Sequence, residues 1–370
     1  MISGQPIRAG IVGASVNRGW GWRSHVPALL ALPDYKLNAI CTAHQETAEA
    51  AARETGAAHA FSDYHAMVQS PEVDLVTVAV RVPWHREMVL AAIEAGKHVY
   101  CEWPMGASIA EVEEMAAAAR SAGVKAMVGL QGRSAPWVQH LKELVQQGYV
   151  GRPVTANAKF TTRHNYMRPG LSWAAKRANG NHLLAIQTAH MLDIVSSCLG
   201  GFREVAAYIT TNQREWPAAE GNEPVIADAP DCVLVHAKCA SGAVLSAYFA
   251  FVPAHGTGWR FEVFGDKGAL VASSPGPAMT TPNRLQGGQL DDGEFQDLEV
   301  PSRLIRVPPG LESGTAFHVA HNYARLAEAI RGGADFEPSF DSGLQVYRLL
   351  AALERSDAEG GRWQTIDAAS

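Results

Sequence analysis

Titratable side chains gather near the middle of the 370-residue chain. His164 and Tyr166 lie in the stretch TTRHNYMRPG, Lys176 follows shortly after it, and His190 lies in NHLLAIQTAHMLD. A neutral imidazole can take the proton of a hydroxyl while hydride leaves the adjoining carbon. These four residues are therefore candidate catalytic groups. The competing interpretation is structural, and for His190 it is a satisfied core histidine.

A glycine-rich turn near the N-terminus predicts a binding site for a phosphate-bearing cofactor. The segment AGIVGASVNRGWGWRSHVPAL passes from an apolar strand into a helix. Small residues there let backbone N–H groups approach a pyrophosphate at the helix N-terminus. Ser15 stands where the second glycine of the usual fingerprint belongs, so an ordinary tight turn is the alternative. The predicted contacts are Gly13, Ala14, Ser15, Gly19 and Trp20.

The end of the predicted second strand bears on the choice of dinucleotide. An NAD site usually presents Asp or Glu to the ribose at this point, but the chain reads AICTAHQE. With no carboxylate to repel a 2′-phosphate, NADP is slightly favoured over NAD, and Thr42 and His44 could hydrogen-bond it. A solvated loop histidine is the alternative for His44.

Two later strand ends complete the predicted cofactor site. The fourth strand runs into AVRVPWHREMV, from which we expect Val82, Pro83 and His85 to reach the cofactor. His85 is otherwise a helix N-terminal residue without a ligand. The fifth strand ends in VYCEWPMGAS. Glu102 and Trp103 belong there, Trp103 either as an aromatic wall of the site or as a packed strand-end residue.

These residues need a scaffold of two domains. Strand–helix alternation through about the first 150 residues predicts a doubly wound parallel sheet. Alternating strands joined by hairpin-like turns then predict an α/β domain with an open, mostly antiparallel sheet. We place the domains at 1–131 and 132–370, with late helices at 317–331 and 343–355 that could pack back on the first. Residues 273–309 are expected to be irregular.

Composition narrows the possible functions. The net charge of −6 disfavours a nucleic-acid partner, and no apolar run approaches the length of a membrane span. The five cysteines are scattered and form no Cys-x-x-Cys pair. That pattern predicts free thiols, no metal site and a cytoplasmic location, in a chain that enters its first strand without a signal peptide.

The motifs, in this order and spacing, resemble the glucose–fructose oxidoreductase/inositol dehydrogenase/MocA family over nearly the whole chain. They include AIEAGKHVYCEWP, GLQGR, GYVGRPV, GNHLLAIQTAHMLD and FEVFGDKGAL. RGWGWRSHVPAL, CEWP and LQGRSAPWV look like the subgroup that contains the yeast galactose-pathway repressor. The resemblance implies a Rossmann domain followed by an α/β domain. It also adds Gln131 to the predicted cofactor contacts.

The resemblance also shows what this chain has lost. The family keeps Glu-Lys-Pro at the end of the fifth strand, and the matching residues here are Glu102, Trp103 and Pro104. The family's helix-start aspartate matches Ile186, whereas its histidine is kept as His190. His190 is therefore the remaining family position that can carry a proton near neutral pH.

Three functions are compatible with this pattern. The first is an NAD(P)-dependent oxidoreductase acting on a small alcohol or carbonyl, such as a sugar or polyol derivative. The second is a catalytically silent dinucleotide-binding regulator, and the third is a redox-neutral lyase or epimerase that retains its NAD. We prefer the first, with a small-molecule substrate and a homodimeric or homotetrameric assembly.

Overall fold

A computed structural model describes residues 4–164, 172–217, 223–311, 313–332 and 335–366. The described chain forms two compact units. The first unit comprises Met1–Ser134 and Ile305–Leu344, and the second comprises Ala135–Leu304 and Gln345–Ser370. The late helix at residues 314–330 thus belongs to the first unit, although most of the second sheet precedes it in sequence.

Nine α-helices occur in the described residues. In chain order they are α1 Val26–Ala31, α2 Gln45–Thr55, α3 Tyr64–Gln69, α4 His85–Glu94, α5 Ile109–Ala122, α6 Pro136–Gln146, α7 Ala189–Leu199, α8 Gly314–Ile330 and α9 Phe340–Ala358. Local sequence explains several of their ends. Asp63 and Ser108 cap the backbone N–H groups that begin α3 and α5, and Gly56 and Gly123 end α2 and α5 in the left-handed conformation.

The first unit holds a six-stranded parallel sheet with the order β3-β2-β1-β4-β5-β6. Its strands are β1 Ile7–Val12, β2 Tyr35–Cys41, β3 His59–Phe61, β4 Leu75–Val78, β5 His98–Cys101 and β6 Ala126–Val128. All four residues of β4 are buried, as expected for a strand with both faces covered. This order is that of a doubly wound dinucleotide-binding sheet, so the predicted fold class of this part is confirmed.

The second unit holds a nine-stranded sheet and a small two-stranded ribbon. The sheet has the order β16-β15-β14-β13-β7-β12-β11-β8-β17, and only the β7–β12 pair is parallel. The strands are β7 Pro153–Arg163, β8 Phe202–Thr210, β9 Glu215–Trp216, β10 Val225–Ile226, β11 Cys232–Cys239, β12 Val244–Val252, β13 Gly258–Gly265, β14 Gly268–Ser274, β15 Arg284–Gln289, β16 Gln296–Asp297 and β17 Gln364–Thr365. β9 and β10 form the ribbon. The predicted mostly antiparallel sheet is confirmed.

The expectation of an irregular segment at residues 273–309 is wrong in part. β15 and β16 lie within it and extend the sheet beyond β14. β15 contains Gly287 and Gly288, which have weak intrinsic strand preference. A Cβ at Gly287 would lie 2.6 Å from the Tyr149 hydroxyl oxygen. Close packing against Tyr149 therefore explains a glycine in this strand, which local propensity could not reveal.

The two sheets bury their cores differently. In β11 the burial alternates almost strictly along the strand, so one face is covered and the other is exposed. The covered face packs with α6, α7 and the later part of α9 in one apolar cluster, which includes Leu141, Leu192 and Leu353. All five cysteines are free thiols, and Cys232 alone of the five is not fully buried.

Candidate functional site

The glycine turn of the first unit leaves no room for side chains. Gly13 follows β1 with φ +100°, and a Cβ there would lie 2.4 Å from the Ala79 carbonyl oxygen. A Cβ at Gly21 would lie 2.7 Å from the Gly13 carbonyl oxygen. Both positions therefore require glycine. The chain then enters a π-helical turn, Gly21–His25, which leads directly into α1.

The other residues predicted for this turn occupy different surroundings. Ala14 is fully buried, Ser15 and Trp20 are half-buried, and Gly19 is exposed. Gly19 has φ +72° and no atom near its missing Cβ, so its backbone conformation alone favours glycine. The Trp20 indole nitrogen is buried and has no hydrogen-bond partner among the described residues. A hydrogen-bond donor is therefore available beside the turn.

The end of β2 is held by its own side chains. The Thr42 hydroxyl donates to the His44 carbonyl oxygen at 3.0 Å and lies 2.6 Å from the Thr47 hydroxyl. Thr42 is buried, whereas His44 is exposed at the start of α2. The structure thus ties the Thr42 hydroxyl into the turn and leaves the His44 ring open to solvent.

The three residues after β4 that were predicted to contact the cofactor lie in different surroundings. Val82 and Pro83 lie in a 3-10 turn, Val82–Trp84, and Pro83 is exposed. His85 points inward: its Nε2 lies 3.1 Å from the Val80 carbonyl oxygen and its Nδ1 lies 3.5 Å from the Cys101 thiol. Burial lowers the pKa of His85 and raises that of Cys101, so both side chains are neutral near pH 7.

Glu102 and Trp103 are both buried at the end of β5. The Trp103 backbone N–H donates to Glu102 Oε2 at 3.3 Å. The other carboxylate oxygen, Oε1, lies 2.8 Å from Nε2 of His25. A Cβ at Gly129, just after β6, would lie 2.7 Å from Oε2. The Glu102 carboxylate therefore lies against the residue that follows the neighbouring strand.

Gln131 follows β6 in a 3-10 turn, Gln131–Ser134, in which every residue is buried. The Gln131 Oε1 atom and the Ser134 hydroxyl have no hydrogen-bond partner within the described part of the chain. Buried polar atoms usually find partners. Two unmatched atoms at the carboxyl edge of the parallel sheet fit a site that a polar ligand would complete.

In the second unit, His164 directly follows β7. Its ring contacts Trp216 edge-on, with centroids 4.7 Å apart, and Phe251 at 4.9 Å. Burial lowers the pKa of His164, and the nearby Asp231 carboxylate opposes that shift. The Lys176 Nζ donates to the Ile226 carbonyl oxygen at 2.8 Å. The structure thus brings His164 to β9 and Lys176 to β10 of one ribbon.

His190 is the second residue of α7 and is 6% exposed. Ile186 precedes it in a π-helical turn, Leu184–Thr188, and is only half-buried. Further back, His182 is buried, and its burial lowers its pKa to about 4. Tyr166 lies outside the described residues. The second unit therefore contributes three buried imidazoles, at 164, 182 and 190.

Sequence reasoning missed several polar residues of the first unit. His25 and Tyr323 are both completely buried, and Nδ1 of His25 lies 2.8 Å from the Tyr323 hydroxyl. The available signal was a histidine next to the apolar run that begins α1. Its partners Glu102 and Tyr323 lie 77 and 298 positions away in sequence. No local pattern could pair residues at these separations.

A parallel sheet in the 3-2-1-4-5-6 order, with an obligatory glycine turn after β1, defines a dinucleotide-binding Rossmann fold. The sequence pattern of the oxidoreductase family with an NAD-binding Rossmann fold matches residues 7–130, and that of the GFO/IDH/MocA C-terminal domain matches residues 138–271. The chain belongs to the glucose–fructose oxidoreductase/inositol dehydrogenase/MocA family. The predicted resemblance is confirmed.

Individual relatives include both enzymes and a regulator. Dehydrogenase aclE of Aspergillus oryzae is 31% identical over 96% of this chain and 97% of its own length. The galactose/lactose metabolism regulatory protein GAL80 of Saccharomyces cerevisiae is 27% identical over 73% of this chain and 69% of its own. A levoglucosan dehydrogenase, solved with NADH and levoglucosan, has a TM-score of 0.84 at 25% identity and covers 98% of this chain and 100% of that structure.

Neither a metal cluster nor a membrane span is present in the described ranges. No group of three or more His, Cys, Asp or Glu side chains there is arranged to hold a metal ion. None of the helices in those ranges combines the length and apolar composition that crossing a bilayer requires.

Proposed function

We propose that the protein is an NAD(P)-dependent oxidoreductase that transfers hydride to or from a small alcohol or carbonyl substrate such as a sugar or polyol derivative. The observation that carries this proposal is His190, a buried imidazole at the family's catalytic position. Trp103 and Ile186 replace the other two polar groups of the family site. The sugar ligand of the levoglucosan dehydrogenase supports the substrate class.

The first unit fits a dinucleotide. Gly13 and Gly21 pack closely against neighbouring backbone where a Cβ cannot stand, and this tight turn leads into a helical turn as pyrophosphate binding requires. The bound dinucleotide supplies the hydride acceptor or donor. Trp103 forms an aromatic wall beside the nicotinamide ring. Its indole N–H can donate a hydrogen bond, but the indole cannot accept a proton. The absence of a carboxylate at residues 42–44 slightly favours NADP over NAD.

The proton of the substrate hydroxyl passes to His190. In its neutral form the imidazole can accept that proton as the carbonyl forms. In the opposite direction a protonated His190 returns it. His164, Lys176 and Tyr166 are proposed as further catalytic or substrate-contacting groups. The aromatic contacts of His164 suit the apolar face of a sugar ring.

A screen of alcohols and sugars, monitored at the reduced-nicotinamide absorption band, tests this function. Oxidation of a polyol or sugar with either dinucleotide is the expected result. Turnover in which the hydride leaves and returns would instead favour a lyase or epimerase, seen as product formation without net change in the band. Tight dinucleotide binding without turnover of any substrate would contradict the enzyme.

The second candidate is a dinucleotide-binding regulator. Loss of the family lysine to Trp103 favours it, as does the similarity to GAL80. A regulator of this kind needs a protein partner whose binding depends on the dinucleotide. Co-purification that changes when dinucleotide is added, together with the absence of turnover, would support this candidate over the enzyme.

We also propose that the exposed face of the second sheet contacts a second copy of the chain. Tyr208, Leu234 and Tyr248 are directly opposite one another on β8, β11 and β12, and all three are exposed. Such an apolar row is typical of an interaction surface. Light scattering should give a dimer or tetramer at micromolar concentration, and Leu234→Lys should lower the mass. A monomer would contradict this assembly.

A further inference from the structure

An unbroken row of buried hydrogen bonds runs through the first unit to Glu102. The Thr77 hydroxyl lies 2.8 Å from the Tyr323 hydroxyl, and that hydroxyl lies 2.8 Å from Nδ1 of His25. Nε2 of His25 lies 2.8 Å from Glu102 Oε1. The row joins β4, α8, the turn before α1 and the end of β5. Its last member, Glu102, immediately precedes Trp103 in sequence.

One arrangement of protons gives every donor in this row an acceptor. Thr77 donates to Tyr323, Tyr323 donates to His25 Nδ1, and His25 Nε2–H donates to Glu102. Glu102 receives a second hydrogen bond from the Trp103 backbone N–H. A carboxyl group that accepts at both oxygens and donates at neither is ionised. The imidazole carries a single proton in this arrangement, so the pair has a net charge of −1.

The groups that face this pair do not balance its charge. Tyr100 and Tyr323 have pKa values raised by burial, as does Cys101, so all three are neutral near pH 7. The pKa of His85 is lowered by burial, and this ring is neutral as well. Within the described residues, no Lys or Arg nitrogen lies within 4.0 Å of Glu102, and His25 is its only ion-pair partner.

We infer that Glu102 places a fixed negative charge beside the nicotinamide and thereby selects the oxidised dinucleotide over the reduced one. The oxidised ring is positively charged and the reduced ring is neutral, so only the former is attracted. His25 and Tyr323 are positioning residues that hold the carboxylate. The inference rests on the proposed function, because it requires the dinucleotide to bind at this edge of the sheet. A single charge at such range changes the affinity ratio by about tenfold or more.

The test measures dissociation constants for NAD⁺ and NADH, or for the 2′-phosphorylated pair if the protein prefers it, by calorimetry. Glu102→Gln should weaken the oxidised form relative to the reduced form by about tenfold. Glu114→Gln is the matched control, because this carboxylate is exposed and paired with Arg86 on the surface. An unchanged ratio in Glu102→Gln, with both forms still bound, overturns the inference alone. Failure of the unmodified protein to bind either form overturns the proposed function as well.

The role of His25 is tested separately. Gln can still donate one hydrogen bond to Glu102, so His25→Gln should keep the parent's affinity ratio if the imidazole is neutral. A rise in the preference for the oxidised form would show that a charged imidazole had been balancing Glu102, and would overturn the inference.

Discussion

The two sheets differ in where they place polar and titratable groups. The parallel sheet of the first unit is covered on both faces, so its polar groups lie beyond the strand ends, at Gly13, Thr42 and Glu102. The antiparallel sheet of the second unit has one covered face and one exposed face. Its buried imidazoles lie on segments around the covered side, and its exposed face offers an apolar row. In the proposed function, the first unit binds the cofactor and the second unit transfers the proton.

The largest expected effect tests whether the second unit transfers the proton. His190→Asn keeps approximate size and hydrogen bonding but removes proton transfer, so kcat should fall by about 10²–10⁴-fold. Dinucleotide affinity, measured by calorimetry, should stay nearly constant. His236→Asn, at an exposed position on β11, is the control. If His190→Asn retains the parent's kcat, the proton passes through His164, Lys176 or Tyr166.

A second variant tests whether the first unit binds the dinucleotide. Gly13→Val would place a Cβ against the Ala79 carbonyl oxygen in a backbone conformation that β-branched residues avoid. Dinucleotide affinity should fall by about a hundredfold or more, since about 3 kcal/mol of strain and lost contact is converted at tenfold per 1.4 kcal/mol. Gly123→Asn is the matched control, because Gly123 has φ +66° and nothing near its missing Cβ. Circular dichroism separates lost binding from lost folding.

Each unit also has one histidine whose burial lowers its pKa to about 4, His321 in the first and His182 in the second. The unfolded ring takes up a proton near pH 6.5, whereas the folded ring does so only near pH 4. The unfolded state therefore binds more protons between these values, and stability falls as the pH drops through them. For each ring, the free energy of unfolding should fall by about 2 kcal/mol between pH 7 and pH 5.

His321→Gln should remove that share of the acid sensitivity, as measured by urea denaturation at the two pH values. The native ring accepts from the Arg306 backbone N–H and contacts the Phe317 carbonyl oxygen at 2.8 Å, which a neutral ring satisfies. His236→Gln, at an exposed position on β11, is the control for the substitution itself. Equal acid sensitivity in His321→Gln and the parent would show that the His321 ring does not control it.

The smallest effect concerns cofactor choice. Thr42→Asp would place a carboxylate at the end of β2, where it repels a 2′-phosphate and can bind ribose hydroxyls. The ratio of NADP to NAD affinity should fall by about tenfold. Thr47→Asp, in the first turn of α2, tests whether a nearby charge alone is enough. If Thr42→Asp leaves the ratio unchanged, the ribose does not bind at this strand end.

The sequence predicted features that depend on local pattern. Apolar strands alternating with helices indicated the parallel sheet, and the alternating sequence pattern of residues 231–239 indicated a strand with two different faces. The glycine turn was predicted from spacing, and the structure adds the reason, which is the close approach of Gly13 to Ala79. The positions of Glu102 and Trp103 at a strand end also followed from the motif.

Features that depend on distant partners could not be predicted. Glu102 was expected to contact the cofactor, but its hydrogen bond to His25 requires the turn before α1 to meet the end of β5. β15 was missed because its glycines have low strand propensity and owe their place to Tyr149. His85 was a cofactor candidate because of its position after β4, yet the structure turns its ring toward Cys101 and the interior. Whether a side chain points in or out depends on packing that no short motif specifies.

The contribution of α8 to the first unit has a consequence for synthesis of the chain. Val319 and Leu326 share a core cluster with Ile7, Ile11 and Leu29, and the Tyr323 hydroxyl reaches a histidine 298 positions earlier. When the first 134 residues have left the ribosome, that core is still uncovered and His25 has no partner at Nδ1. The cofactor-binding unit can close only after most of the chain has been made. Until then its exposed apolar surface is available to chaperones and to aggregation.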